Sequence, residues 1–339
     1  MKYTVKSETE ERTLVSVLPN AWGTIGPWFQ KSSLEIGAFL GKQYGLMVYS
    51  PSAALETVLR GWNIGYGSEV IVAGWSDPMD AMVTAAVGAV PVFADICEKT
   101  MTLTAETVNK CVTDRTRAVI ADLPCGNPCD AAALKELCSA RGLYLILNLD
   151  DAWGTCWNGE QIASFADAAI VNLSQDKVVD LGLAGAVVTD DPDWNNLFYA
   201  YHNCGRPFGD GSNSLSFDAI LGGDMRITEW QASMVSGRLA QLPGIVETNR
   251  KCANALVEKK GLTPVHVPEN GTSSRNGILI RREEILKEKD VEAKKVYPAM
   301  HLQPFFRSDY FCKQTGVRVE QKRGSCPVSE WAAENILRL

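Results

Sequence analysis

Between about residues 45 and 190 the chain alternates short, nearly continuous apolar runs with longer stretches of helical spacing. Leu46–Tyr49, Glu69–Ala73, Val90–Ala94, Ala118–Ala121, Leu143–Leu149, Ala168–Asn172 and Ala186–Thr189 are the apolar runs. The last six read as buried strands, because a strand covered on both faces loses the in-out alternation of a half-exposed one. Between them, Met79–Val87 and Asp130–Arg141 have helical length and spacing, and Thr104-Ala-Glu-Thr107 offers a capped helix start. Strand and helix in repeated succession predict an α/β fold built on a large, doubly wound, mostly parallel sheet. Ligands of such sheets sit beyond the carboxyl ends of the strands, so the loops after each run carry the candidate chemistry.

Past residue 190 the pattern changes. A polar, glycine-bearing loop over Gly205–Ser214 leads into a helical stretch at Ile227–Leu242. Charged segments carrying Pro264, Pro268, Pro298 and Pro304 then read as a smaller α+β part. The expected division is a large domain over 12–245 and a small carboxyl-terminal domain over 246–339, with residues 1–11 packed on the latter. There is no internal repeat or low-complexity tract.

Composition narrows the function classes. The 339 residues are 46% hydrophobic and 22% charged, and no run of about 18 apolar residues offers a membrane span. Lys+Arg 33 against Asp+Glu 40 gives a net charge of -7 without a basic cluster, which argues against a nucleic-acid partner. The charged start Met1–Leu14 lacks the apolar core of a secretory signal, so a cytoplasmic protein is expected. Ten scattered cysteines form no CxxC pair, Cys125 and Cys129 being separated by three residues, and His202, His266 and His301 have no metal spacing. Small buried thiols and no metal are expected. Gly37–Gln43 looks like a phosphate loop but has one residue too few between its glycines and no Ser or Thr after Lys42; it reads as a helix end. No GxGxxG follows a strand, so a nicotinamide enzyme has no support.

Three segments hold the remaining polar chemistry. Ser50-Pro-Ser-Ala-Ala-Leu55 follows an apolar run and opens a helical pattern, where hydroxyls and unpaired backbone N–H groups favour a phosphate. Leu143–Gly154 ends a strand in Asn148, Asp150 and Asp151, with alternation placing Asn148 and Asp150 on one face. Lys177 lies shortly beyond Ala168–Asn172 and before Gly182-Leu-Ala-Gly185. Each has a plain reading alone: a capped helix, acidic helix caps, a solvated lysine. Together they have the parts of a pyridoxal-phosphate site, in which a lysine amine forms a Schiff base and the ring draws off electrons.

Further motifs run in order along nearly the whole chain: Gly65-Tyr-Gly-Ser-Glu-Val-Ile-Val, Val87-Gly-Ala-Val-Pro-Val-Phe-Ala-Asp, Thr113-Asp-Arg-Thr-Arg-Ala-Val-Ile, Asn203-Cys-Gly-Arg, Met225-Arg-Ile-Thr-Glu-Trp-Gln-Ala and Tyr297-Pro-Ala-Met-His-Leu-Gln-Pro. The chain thereby resembles the DegT/StrS-type pyridoxal-phosphate-dependent sugar aminotransferases of fold type I. Its Lys177-Val-Val-Asp-Leu-Gly segment, preceded by Ser-Gln-Asp, is most similar to the branch that aminates cyclitol ketones for aminoglycosides. The resemblance implies pyridoxal 5'-phosphate as cofactor, an amino-acid donor such as glutamate or glutamine, a keto-sugar or cyclitol ketone as acceptor, and a homodimer. It makes Lys177 the Schiff-base lysine, at the family's spacing after Asn148. It puts Ser52 and Ala53 at the phosphate, with Pro51 where the family has glycine. Asn172 stands for a phosphate-contacting serine, and Asp224 for an asparagine that reaches the neighbouring subunit's phosphate. Asp151 stands for a glutamine on the cofactor's phenolic oxygen. A gap-free alignment puts Asp77 where an aromatic stacks on the pyridine, with Trp75 as the substitute.

Asn148 stands where the family has the aspartate that keeps the ring nitrogen protonated, and a neutral amide supplies no such charge. Asp150 could take over only with a shift, being about 6.6 Å along the strand at ~3.3 Å per residue. Two other readings follow from these departures. One is a degenerate paralogue that serves as a partner subunit; the other is a different reaction on the same cofactor, such as dehydration, elimination or decarboxylation. If the loss is electronic, Asn148→Asp is expected to raise transamination.

Overall fold

The structure, a computed structural model, describes residues 8–19, 23–207, 221–285 and 292–339; most of the expected loop 205–214 lies outside them, as do residues 1–7. In chain order the elements are α1 (Glu8–Val17), α2 (Pro27–Phe39), β1 (Tyr44–Val48), α3 (Pro51–Gly61), β2 (Glu69–Ala73), α4 (Pro78–Ala86), β3 (Val90–Ala94), α5 (Ala105–Asn109), β4 (Thr116–Asp122), α6 (Ala131–Arg141) and β5 (Tyr144–Asn148). They continue through β6 (Cys156–Trp157), β7 (Glu160–Gln161), β8 (Ala168–Asn172), β9 (Gly185–Thr189), α7 (Pro192–His202), α8 (Glu229–Ser233), α9 (Val235–Lys260) and β10 (Gly271–Thr272). The last are β11 (Leu279–Arg281), α10 (Arg282–Ile285), β12 (Lys294–Lys295), α11 (Asp309–Thr315), α12 (Pro327–Asn335) and β13 (Ile336–Arg338). Among the described residues no helix is long and apolar enough to cross a membrane.

Two compact units divide the chain. The first comprises Met1–Asn63 with Asp167–Ile245, and the second Ile64–Ala166 with Val246–Leu339. In the second unit the strands lie in the order β5-β4-β2-β3, every neighbouring pair parallel. Their apolar runs are the reason, since β2 is buried along its whole length and β5 along all but its first residue. Helices α4, α5 and α6 make the crossovers that parallel neighbours require. The expected capped start forms as read, Thr104 and Thr107 closing a reciprocal capping box; Asp130 also caps α6 by accepting from Ala133 N–H.

The first unit departs from the parallel expectation. Its strands lie in the order β1-β9-β8, and β9 is antiparallel to both neighbours. The cause is the connection between β8 and β9, Leu173–Ala184, which contains no helix. A parallel return needs a crossover of a dozen or more residues, usually helical, whereas this segment folds back on itself. Leu173 N–H bonds Ala184 O, Leu181 N–H bonds Leu173 O and Gln175 N–H bonds Gly182 O. Helix α3 packs over this sheet with Leu55, Val58 and Leu59 fully enclosed, each worth about 1.5–3 kcal/mol of burial.

The helical reading at Ile227–Leu242 also changes. Helix α8 stops at Ser233, and α9 runs on to Lys260 through Pro243. Proline removes one i→i−4 bond, and here the helix continues past the break.

The amino end of α2 shows how distant residues complete local structure. Gly26 bears no side-chain cap; instead the Glu229 carboxylate accepts N–H bonds from Gly26, Trp28 and Phe29 at 2.8–3.0 Å. Glu229 is buried, so its removal strands three donors of the first turn. Glu229→Ala is expected to cost about 2–3 kcal/mol in urea unfolding, and Glu229→Gln clearly less.

Candidate cofactor and active site

Five of the positions singled out in the sequence lie in the first unit, and the structure gathers them at one edge. Ser50 caps α3 by accepting from Ala53 N–H at 3.1 Å, with Pro51 as the first helical residue. Ser52 is exposed at this terminus and Ala53 is buried beneath it. Two things thin the array of anion donors: proline has no N–H, and the Ser50 hydroxyl already occupies that of Ala53. Strand β9 begins against this turn. A Cβ on Gly185 would lie 2.6 Å from Ser50 O, so only glycine permits the approach. Gly185 is the register partner of both Val48 and Asn172, which brings the ends of β1 and β8 to the same place.

Asn172, the last residue of β8, accepts Ser174 N–H on its side-chain oxygen at 2.8 Å and so starts the turn that carries Lys177. Lys177 is half-buried; its N–H bonds Ser174 O, and Asp176 before it adopts a left-handed φ of 65°. Gln231 donates to Leu181 O and Leu183 O and ties the far side of the turn to α8. Asp224 lies beside the end of β1, since Tyr49 N–H bonds Met225 O. Its carboxylate is held bidentately by Arg226 at 2.7 and 2.8 Å, and this pairing lowers the Asp224 pKa. The charge of the Asp224 carboxylate is thereby countered by a guanidinium two residues away.

Trp75, Asp77, Asn148 and Asp151 lie in the second unit, at the carboxyl ends of its parallel strands. Trp75, two residues beyond β2, is buried; its indole N–H donates to Tyr297 O at 3.0 Å and its ring meets the Tyr297 ring edge-on. Asp77 caps α4 by accepting from Met79 N–H, and its own N–H donates to Asp122. Asn148 ends β5 in register with Asp122, the end of β4. The Asn148 amide is committed at both ends: Nδ2 donates to Asp80 Oδ1 at 2.9 Å, and Oδ1 accepts Asp150 N–H at 3.0 Å. Asp151 is paired with Arg338 of β13 at 2.7 Å, while its backbone oxygen accepts from Ser274 and Asn276.

The electrostatics of this edge are set by burial. Asp80 and Asp122 are both pushed well above the usual carboxylate range, first by desolvation and then by neighbouring carboxylates. The Tyr297 phenol donates to Asp122 and is itself raised by burial and the surrounding acids. Sequence reasoning missed Asp80, Asp122, Tyr297, Arg226 and Arg338. Tyr297 and Arg226 stand in motifs of the family resemblance, and Asp80 left a signal as a single acid in the apolar helix Pro-Met-Asp-Ala-Met-Val-Thr-Ala-Ala.

Solved structures share this architecture. The chain superposes on 3-amino-5-hydroxybenzoic acid synthase with a TM-score of 0.86 at 24% identity, covering 98% of this chain and 90% of that one. On DesV of S. venezuelae the TM-score is 0.84 at 26% identity, with 98% and 88% covered. The scaffold is thus that of the pyridoxal-phosphate aminotransferases of fold type I, with a large mixed sheet of mostly parallel strands flanked by helices. The chain belongs to the DegT/DnrJ/EryC1/StrS aminotransferase family, matched over residues 5–339. Among curated relatives, 3-amino-5-hydroxybenzoate synthase of Amycolatopsis mediterranei is 28% identical over 268 residues, 78% of this chain and 68% of that protein. L-glutamine:2-deoxy-scyllo-inosose aminotransferase of Streptomyces paromomycinus is 30% identical over 281 residues, 78% of this chain and 66% of that protein. Family membership implies pyridoxal phosphate as the cofactor.

Proposed function

We propose that this protein transfers an amino group from an amino-acid donor to a keto-sugar or cyclitol ketone, with pyridoxal 5'-phosphate as cofactor and Lys177 as its catalytic residue. The observation that carries the proposal is Lys177 itself, held on a closed turn at the strand edge that also presents the α3 amino terminus. The residues suit the cofactor's chemistry. Ser52, with the α3 terminus and Asn172, would take the phosphate, and Asp224 would face the phosphate site of a second copy across a homodimer. Asn148 would face the ring nitrogen and Asp151 the phenolic oxygen, with Trp75 in the wall. When bound, the cofactor supplies an electron sink for the carbon losing its proton. The Lys177 amine would hold the cofactor and move that proton between carbon atoms. A large domain over 12–245, a small one over 246–339 and a cytoplasmic setting complete the proposal.

Adding pyridoxal phosphate to the purified protein is expected to give a visible absorbance band that fades on addition of glutamine or glutamate and returns with a ketone acceptor. A protein that stays colourless at millimolar cofactor overturns the reading.

A second reading, a partner subunit without turnover, is favoured by Pro51 and the occupied Ala53 N–H, which weaken the phosphate site. Co-purification with an intact homologue, together with silence toward many donors, would support it.

A further inference from the structure

Helix α4 is apolar but for Asp80 in its first turn and Thr84 beyond it, and Asp80 is completely enclosed. A buried carboxyl in such a helix is costly unless both oxygens are satisfied. Here only Oδ1 receives a side-chain bond, from Asn148 Nδ2 at 2.9 Å, while Oδ2 has no hydrogen-bond partner. An asparagine at position 80 would pair with Asn148 equally well and carry no charge, so packing alone does not account for the acid.

We propose that Asp80 is a positioning residue that acts through Asn148, fixing the orientation of its amide and polarising it. The inference rests on the reading of Asn148 as the group that faces the cofactor ring. With Nδ2 donating to a carboxyl and Oδ1 accepting from Asp150 N–H, the amide has one orientation and cannot flip without losing both bonds. A bond donated to an ionised carboxylate is stronger than one to a neutral acid, and it leaves the amide oxygen a better acceptor. Where Asp80 is ionised, above its raised pKa, the strand end gains part of the negative character that asparagine lacks. Four groups face Asp80 and bear on its charge: Asp77 at the head of α4, Asp122 on β4, Asp150 after β5 and the Asn148 amide. Burial and the three acids favour the protonated form, and the amide favours the ionised one.

The same geometry alters the expectation for Asn148→Asp. Alone, that change sets a second carboxyl against Asp80 in a buried site, where both cannot ionise. The exchange variant Asp80→Asn/Asn148→Asp restores a complementary pair with its polarity reversed.

The experiment compares wild type, D80N, N148D and the exchange variant by two measurements. The first is the melting temperature of cofactor-free protein between pH 5 and 8.5. Because the folded-state pKa of Asp80 is raised, its contribution to stability is complete below the unfolded value of about 3.9 and is lost as pH rises through the folded value. D80N is expected to melt higher than wild type at pH 8 and to show a flatter pH dependence, the residual slope belonging to Asp122. N148D is expected to lose about 5 °C or more at pH 8, and the exchange variant to regain at least half of that loss. The second measurement is the pH midpoint of the visible band after loading with pyridoxal phosphate, which packing alone would not move. D80N is expected to shift it by more than about half a unit, and the exchange variant to shift it in the opposite sense. Additive melting temperatures, or a D80N midpoint equal to that of wild type, overturn the proposal. Wild-type protein that takes up no cofactor fails the functional reading instead, while coupled melting would still establish the oriented pair.

Discussion

Replacing Lys177 with alanine is expected to remove the visible absorbance of the cofactor-loaded protein and to lower turnover by at least about a thousandfold. The size follows from the two tasks one amine would perform, covalent attachment of the cofactor and proton transfer in the chemical step, the second alone contributing about 10²–10⁴-fold in enzymes. The fold is expected to survive. The turn is closed by backbone bonds, from Lys177 N–H to Ser174 O and from Gln175 N–H to Gly182 O, which do not depend on the side chain. Borohydride reduction followed by mass spectrometry gives the direct measurement: a covalent adduct on Lys177 in the wild type and none in the variant. An adduct at another lysine in the wild type would move the site elsewhere.

The second large effect is expected from Arg338→Ala. Arg338 Nη1 donates to Asp151 Oδ2 at 2.7 Å, and Nη2 donates to Asn276 O at 2.8 Å. The Asp151 side chain is 9% exposed and that of Arg338 is 38% exposed. Breaking an enclosed pair from one side typically costs about 3–5 kcal/mol, because the remaining charge is stranded. The exposure of the guanidinium screens part of this, so about 2 kcal/mol is expected in urea unfolding. Asp151→Gln made on the Arg338→Ala background is expected to recover about half of the loss, since the buried charge that faced Arg338 is then removed. If Asp151 is the group on the phenolic oxygen, the same double variant is also expected to keep the visible band.

Much of the fold was legible in local pattern. Strands β2, β3, β4 and β5 lie where continuous apolar runs predict them, because strands buried on both faces must be apolar along their length. Helices α4 and α6 lie where helical spacing predicts them, with Asp77 and Asp130 as the caps that the structure adds. The antiparallel turn of β9 was also written locally, in the absence of helical spacing between Asn172 and Gly185, but the apolarity of Ala186–Thr189 suggested another parallel strand. Helix α9 was less legible, since Pro243 marks a stop by propensity and the helix nevertheless runs to Lys260.

The sequence by itself determined the α/β architecture and the family, and singled out Lys177 as the candidate, because each depends on residues close together in the chain and on order along it. Tertiary structure alone decided which groups answer one another: Asp80 with Asn148, Asp151 with Arg338, and Glu229 with the start of α2. Such pairs join residues 68 to 203 apart and leave no periodic trace. A buried polar group has to find its partner wherever packing places one, and hydrophobic burial, which brings the elements together, is non-directional and does not specify that partner in advance.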